Sequence, residues 1–183
     1  MNGIDQTAFL WLNLGPSSAA WLLAAARAIS DQLPHWMVAA ALALALAGRA
    51  EWRAQAWRVL LSMVLAAGAA SLLKRGLQFP RPFTLGLGTL WVPHGVSAGF
   101  PSAHSATAMA FAVSAALAPV RWPARALVFA AALAMGWSRI ALGVHFPSDV
   151  LAAWCLGTAC AVLVQRLGTP PTQRWPWGRA SLS

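Results

Sequence analysis

Apolar residues along this chain gather into long runs parted by short polar gaps, a pattern of helices packed side by side. The first run, from Thr7 to about Ala28, is interrupted by Asn13, Gly15 and Pro16 and reads either as one broken span or as a short interfacial helix followed by a span. Asp31 to Pro34 breaks the pattern, and a second run, almost wholly alanine and leucine, extends from about His35 to Ala47. Gly48 to Arg58 reads as a basic loop with Trp52 and Trp57 as interfacial anchors. Val59 to Leu73 predicts a third span, and Ser102 to Ala118, opened by Pro101, a fourth. After a short basic stretch from Val120 to Arg125, Ala126 to about Ser138 predicts a fifth, and Pro147 opens a sixth that ends near Arg166. Lys74 to Phe100 is rich in glycine and proline, and a loop of that length in a compact membrane protein is usually functional.

Several runs fall short of the roughly 20 residues that a span needs, so flanking polar residues are expected to extend the helices. Alanine and glycine at many helix positions favour close helix approach and a tight bundle over an open pore. The expectation is an all-α polytopic membrane bundle of about six transmembrane helices. Residues 1–167 form one membrane domain, and 168–183, with Pro170, Pro171 and Trp175-Pro176-Trp177, an irregular cytoplasmic tail.

Composition supports the membrane reading, since 59% of the 183 residues are hydrophobic and only 9% charged. A net charge of +9 would ordinarily point to nucleic acid. Here the cations are spread through the gaps between apolar runs and form no contiguous patch, so no nucleic-acid partner is expected. Cys155 and Cys160, five apart in an apolar run, point in different directions on a helix and are read as small buried residues rather than a disulfide. No lysine or arginine precedes the first run, so a cleaved secretory signal is not expected.

Alternating the spans places Arg49, Arg53, Arg58, Arg121, Arg125, Arg166, Arg174 and Arg179 on one face, which the positive-inside rule makes cytoplasmic. Lys74, Arg75, Arg81 and Arg139 then share the opposite face with His94, His104, His145 and Asp149, while Arg27 fits neither group. Cations kept on the disfavoured side imply a task that outweighs the topology rule.

Three clusters carry that task. Lys74 to Pro82 holds three of the cations, and Phe100 to Ser105 is a helix start whose amides and positive dipole end favour an anion. Ser138 to Asp149 sets Arg139, His145 and Asp149 in an apolar surround. A carboxylate four residues after a histidine can fix its tautomer and leave the second nitrogen free as base, ligand or nucleophile. Arg139 offers a rigid donor fork suited to phosphate or carboxylate. Metal binding is the rival chemistry, but several cations and few carboxylates oppose a divalent ion, so a metal-free phosphate site without a cofactor is favoured.

Lys-x6-Arg-Pro (Lys74, Arg81, Pro82), Pro-Ser-x-His (Pro101, Ser102, His104) and Ser-Arg-x5-His-x3-Asp (Ser138, Arg139, His145, Asp149) resemble, in order and spacing, the three-part signature of the type 2 phosphatidic acid phosphatase superfamily. Ala103 stands where the family most often has glycine. The stretch Val92 to Phe100, with its Pro93-His94 pair, is similar to the bacterial undecaprenyl-diphosphatase branch.

The resemblance implies a metal-independent membrane lipid phosphatase acting through a phosphohistidine. His145 would be the nucleophile, oriented by Asp149, and His104 the general acid and then base. Lys74, Arg81, Ser102, the amides at Ala103 and Arg139 would hold the phosphate. The substrate would be a lipid phosphate lying at the bilayer surface, foremost undecaprenyl diphosphate, with phosphatidylglycerophosphate, phosphatidate and lipid A phosphates as alternatives. That places the protein in the inner membrane of a bacterium with its site facing the periplasm or exterior. Trp91, Trp137 and Phe100 are placed to line the boundary with the lipid. From another class, a non-enzymatic lipid-binding or transport protein is weighed against this, but the inverted repeats and broken mid-membrane helices that would mark transport are absent from the pattern.

Overall fold

A computed structural model describes residues 3–168. These residues form α1 (Gly3–Leu12), α2 (Ala20–Ala47), α3 (Ala50–Leu77), a 3₁₀ turn (Pro82–Leu85), α4 (Ala103–Ala116), α5 (Trp122–Ala141) and α6 (Pro147–Gly168), with no strand among them. The shortest of the five long helices, α4, is the axis: it packs against α3, α5 and α6, and on a smaller scale α2. Its buried positions are Ser105, Ala106, Ala108, Met109, Ala110, Ala112 and Ser114, nearly all small, so neighbouring backbones come close on every side. Gly157 of α6 marks the tightest approach, because a Cβ there would run into the Ala106 carbonyl and the Ala110 amide of α4.

The outside of the bundle is apolar. Trp21, Trp36, Leu61, Val64, Leu72, Leu127 and Leu163 are all exposed, a surface that lipid covers and water does not tolerate at this extent. Ala50–Leu85, α5 and α6 are each long and apolar enough to cross a membrane. Cys155 and Cys160 are both free thiols, but only Cys160 is buried as expected; Cys155 is exposed, because five positions along a helix turn the two side chains to different faces.

Helix ends follow local chemistry. Ser102 caps α4, its hydroxyl accepting from the Ser105 amide. α3 ends at Gln78 in the left-handed conformation, with Lys74 and Arg75 in a last turn where the helix dipole favours cations. Gly143, at φ 81°, lets the α5–α6 loop pass directly beneath the Thr89 carbonyl, where any side chain would collide.

The helices depart from the sequence pattern at several places, one of them the start of the long loop, where Lys74 to Leu77 continue α3 because Lys74 and Arg75 suit the last turn of a helix. The interruption expected at Asn13, Gly15 and Pro16 is present, as a short helix, α1, followed by a long one, with the chain between them at residues 13–19, whereas the break expected at Asp31 to Pro34 does not occur: α2 runs unbroken through it. Asp31 and Gln32 lie exposed on the helix surface, and Pro34 costs α2 only the bond to the Ser30 carbonyl. The two apolar runs expected as separate spans are therefore α1 followed by one long helix, with α1 lying at the same end as the α5–α6 loop. The basic stretches before the third and fifth spans are helical too, within α3 and α5, because arginine is a good helix former once its head group reaches the interface. Arg139 consequently sits in the last turn of α5 rather than in a loop. The tail expected at 168–183 lies outside the described residues, save Gly168, which ends α6.

Gly157→Leu should separate α4 from α6 and destabilise the protein by roughly 1–3 kcal/mol or more. The check is a thermal melt in detergent, with Gly76→Leu, at a position with open space around it, as the unaffected control.

Candidate active site

The start of α6 builds the first part of the site. Asp149 turns back over the helix end, where its Oδ2 accepts from the Phe146 amide at 2.9 Å and lies 3.2 Å from His145 Nδ1. The Ser148 amide and hydroxyl donate to Asp5 of α1, at 3.0 and 2.5 Å, so a second carboxylate caps the same helix from outside.

Arg81 enters from the loop after α3. Its Nε donates to the Ser97 carbonyl at 2.8 Å, Nη2 to the Ala98 carbonyl at 3.1 Å and Ser97 Oγ at 3.3 Å, and Nη1 to the Val144 carbonyl at 2.9 Å. Nη1 also stands 3.2 Å from His145 Nε2. A guanidinium can only donate, so Nε2 must accept, and the ring proton resides on Nδ1, where it is donated to Asp149. Geometry alone therefore sets the tautomer and turns the Nε2 lone pair towards the cations.

Arg139 is 4% exposed; its Nη1 donates to Ser30 Oγ of α2, and its Nε is buried without a partner. Lys74, half-buried in the last turn of α3, points Nζ at the Ala98 carbonyl, 3.4 Å away. Ser102 ties α4 to α6, its amide donating to the Asp149 carbonyl at 3.2 Å, while its hydroxyl oxygen accepts from Ser105 Oγ at 3.0 Å. The Ala103 and His104 amides precede the first intrahelical bond of α4, made by Ala106 to the Ser102 carbonyl. His104 is exposed, with Arg139, Lys74, His94 and Arg81 all within Coulombic reach.

All eight residues singled out from the sequence thus meet at one end of the bundle. Among the described residues no three histidine, cysteine or carboxylate side chains converge as a metal centre would require. His94 also borders the site, half-buried in the loop, its ring 6.2 Å from that of Phe83. Burial lowers its pKa, the Gly95 carbonyl opposes this, and the cations Arg81, Arg139 and Lys74 lower it further. Ser138 serves the helix, its hydroxyl bonding the Met135 carbonyl at 2.8 Å. Trp91 and Trp137 pack around Leu14, Ala26 and Leu142, and Phe100 stacks edge-on against Phe79 beside a cleft of about 490 Å³ that α1 walls.

Sequence reasoning missed the residues that brace this assembly. Asn13 bonds the Thr89 carbonyl and amide and the Ala141 carbonyl, joining the α1–α2 link to the α3–α4 loop and the end of α5. Arg27, unplaced by the topology rule, donates to the Trp91 carbonyl at the same end. An isolated asparagine within an apolar run was the signal, since a polar amide there needs partners. Ser30 left no trace of that kind.

Burial, and after it the charges of Arg81, Arg139, Lys74 and His104, hold the His145 imidazole well below the usual histidine range. It is neutral at physiological pH, with Nε2 unprotonated. The ion pairs among the described residues are Arg49–Glu51 and His145–Asp149, so neither buried guanidinium has a carboxylate of its own. Charges so placed suit an anion with several oxygens.

A histidine buried neutral makes the unfolded chain the greater proton binder below its ordinary pKa of 6.5, so stability must fall as pH drops through that value towards the depressed native one. The expected result is a melting temperature in detergent that declines from pH 6.5 downwards in the parent and declines less steeply in His145→Asn.

Residues 55–170 match the family model described as the PAP2 superfamily. The chain is 30% identical over 162 residues to the provisionally named undecaprenyl-diphosphatase YbjG of Escherichia coli strain K12, covering 86% of this chain and 79% of that one. Its fold is similar to the crystal structure of Aquifex aeolicus LpxE, at TM-score 0.74 and 22% identity over 90% of this chain and 96% of the other. It is also similar to the transmembrane PAP2-type phosphatidylglycerolphosphate phosphatase of Bacillus subtilis, at TM-score 0.71 and 24% identity over 88% and 83%. With its motifs gathered at one end of a helical bundle and the family model spanning them all, the chain belongs to the PAP2 superfamily of membrane lipid phosphatases.

Proposed function

We propose that the protein releases phosphate from undecaprenyl diphosphate at the outer face of the bacterial inner membrane, through a phosphohistidine on His145. The observation that carries this reading is the neutral His145 Nε2 held among buried cations that lack counter-ions. The phosphate oxygens occupy the donors of Lys74, Arg81 and Arg139, the Ser102 hydroxyl and the amides at Ala103 and His104. Nε2 attacks phosphorus in line, the bond to the leaving oxygen breaks, and His104 delivers a proton to that oxygen. Asp149 stabilises the positive charge that develops on the ring. Water then attacks the phosphohistidine, His104 takes its proton, and the P–N bond breaks to free phosphate and restore Nε2.

The choice of lipid rests on the similarity to YbjG over most of both chains. Orientation rests on charge: Arg49, Arg53, Arg58, Arg121, Arg125 and Arg166 lie at the end of the bundle remote from His145, as expected of a cytoplasmic face. The site then faces the periplasm, where a carrier lipid exposes its diphosphate and leaves its chain among the helices. Residues 1–167 act as one membrane unit in this reading.

The test is phosphate release by purified protein in detergent with a chelator present, offered undecaprenyl diphosphate, phosphatidylglycerophosphate, phosphatidate and lipid A. Undecaprenyl diphosphate should be preferred, turnover should survive the chelator, and His145→Ala should lose on the order of 10³-fold or more in kcat. Lys74→Ala should cost about 10²-fold, the scale of one transition-state donor. Preference for another of these lipids would move the substrate and keep the mechanism, and full activity in His145→Ala would overturn the phosphohistidine.

A further inference from the structure

We propose that Ser30 of α2 is a positioning residue that holds Arg139 in its phosphate-binding orientation. The inference rests on the phosphatase reading above and adds to it a residue on a helix that carries none of the three motifs.

Ser30 is 2% exposed and lies one turn before Pro34. Its hydroxyl oxygen accepts from Arg139 Nη1. The described residues supply no other hydrogen bond to the Arg139 side chain, whose Nε is buried and unpartnered. A guanidinium presents Nε and Nη2 along one edge and Nη1 at the other corner. With Nη1 tied to Ser30, the edge left with an unpartnered donor is the one that can donate to two oxygens of an oxyanion side by side. Arg139 also feels the repulsion of Arg81 nearby, so an untethered side chain would swing away in the absence of phosphate.

The chemistry of the tether matters. A carboxylate at position 30 would hold the cation more firmly but neutralise it and compete with the phosphate. A hydroxyl fixes one nitrogen and leaves the charge intact. Asp31, the next residue, is within Coulombic reach of Arg139 yet exposed and not ion-paired with it, so it adds attraction without occupying a donor.

Ser30→Ala, measured on the full chain in detergent, should raise KM and the inhibition constant of inorganic phosphate about tenfold, the usual scale for a hydrogen bond to a charged group, with kcat changed less than about twofold. Ser30→Thr, which keeps the hydroxyl, should restore both constants. In an Arg139→Ala background the Ser30→Ala change should have no further effect, as expected of residues acting through one contact. A merely structural Ser30 would lower the melting temperature and leave the phosphate constant alone. Should Ser30→Ala fail to fold, Ser30→Cys, close in size and a weak acceptor, carries the same expectation. A folded variant with parental constants, or an undiminished effect without Arg139, overturns the assignment. That outcome beside an inactive His145→Ala leaves the phosphatase mechanism standing, whereas an active His145→Ala removes the mechanism itself.

Discussion

Two guanidinium groups buried without a carboxylate are the constraint on which this structure depends. Arg81 and Arg139 are 2% and 4% exposed, and neither nearby carboxylate is ion-paired with them: Asp149 is engaged by His145 and the Phe146 amide, and Asp31 is exposed. Desolvating a cation is costly unless its donors are met, and the fold meets them with neutral oxygens: the Ser97, Ala98 and Val144 carbonyls for Arg81 and the Ser30 hydroxyl for Arg139. Much of the loop between α3 and α4 exists to bring those carbonyls inward. That explains why a segment with little apolar surface is nonetheless ordered against the helices.

Holding the loop in place then falls to residues remote from the motifs. Asn13 sews it to the end of α5, the Trp91 amide bonds the Leu142 carbonyl, and the Gly99 amide bonds the Phe79 carbonyl. α1 lies against the same end, its Asp5 capping α6 one residue before Asp149. The end that carries the candidate site is thus held by hydrogen bonds, while the middle of the bundle is held by the small-residue contacts of α4. Each half uses the interaction that its surroundings make strong: polar contacts near the interface, close backbone packing within lipid.

Much of this could be read from the chain. Lys74, Arg81, His104, Arg139, His145 and Asp149 announced themselves because ionisable residues in an apolar sequence have few bland uses, and their spacing put them on one face. Pro147 marked a helix start correctly, whereas Pro101, expected to open the fourth helix, lies just outside it, before the Ser102 cap. Asp31 to Pro34 and the basic stretches at the starts of α3 and α5 are helical where their polarity suggests gaps. Hydropathy registers side-chain polarity, whereas a helix continues wherever backbone bonds are made and polar heads reach an interface. Ser30 was illegible for another reason: a serine among alanines is ordinary in a tight bundle, and only three-dimensional proximity to Arg139 distinguishes it.

The preference for neutral tethers bears on turnover as well as folding. Were Arg81 and Arg139 held by carboxylates, phosphate would have to break two buried ion pairs on entry, and the site would bind it weakly. Were they left unpartnered, phosphate would be the only relief for their desolvation, and product would leave slowly. Carbonyls and a hydroxyl lie between these limits: they satisfy Arg81 and one nitrogen of Arg139 when the site is empty, leave Arg139 Nε without a partner, and do not cancel the charge when an anion arrives. The Arg81 contact to His145 Nε2 follows the same logic, since it orients the lone pair in the empty site without protonating it. In the proposed mechanism the same cations must seize a phosphoryl group and then release free phosphate, and contacts of this intermediate strength serve both steps.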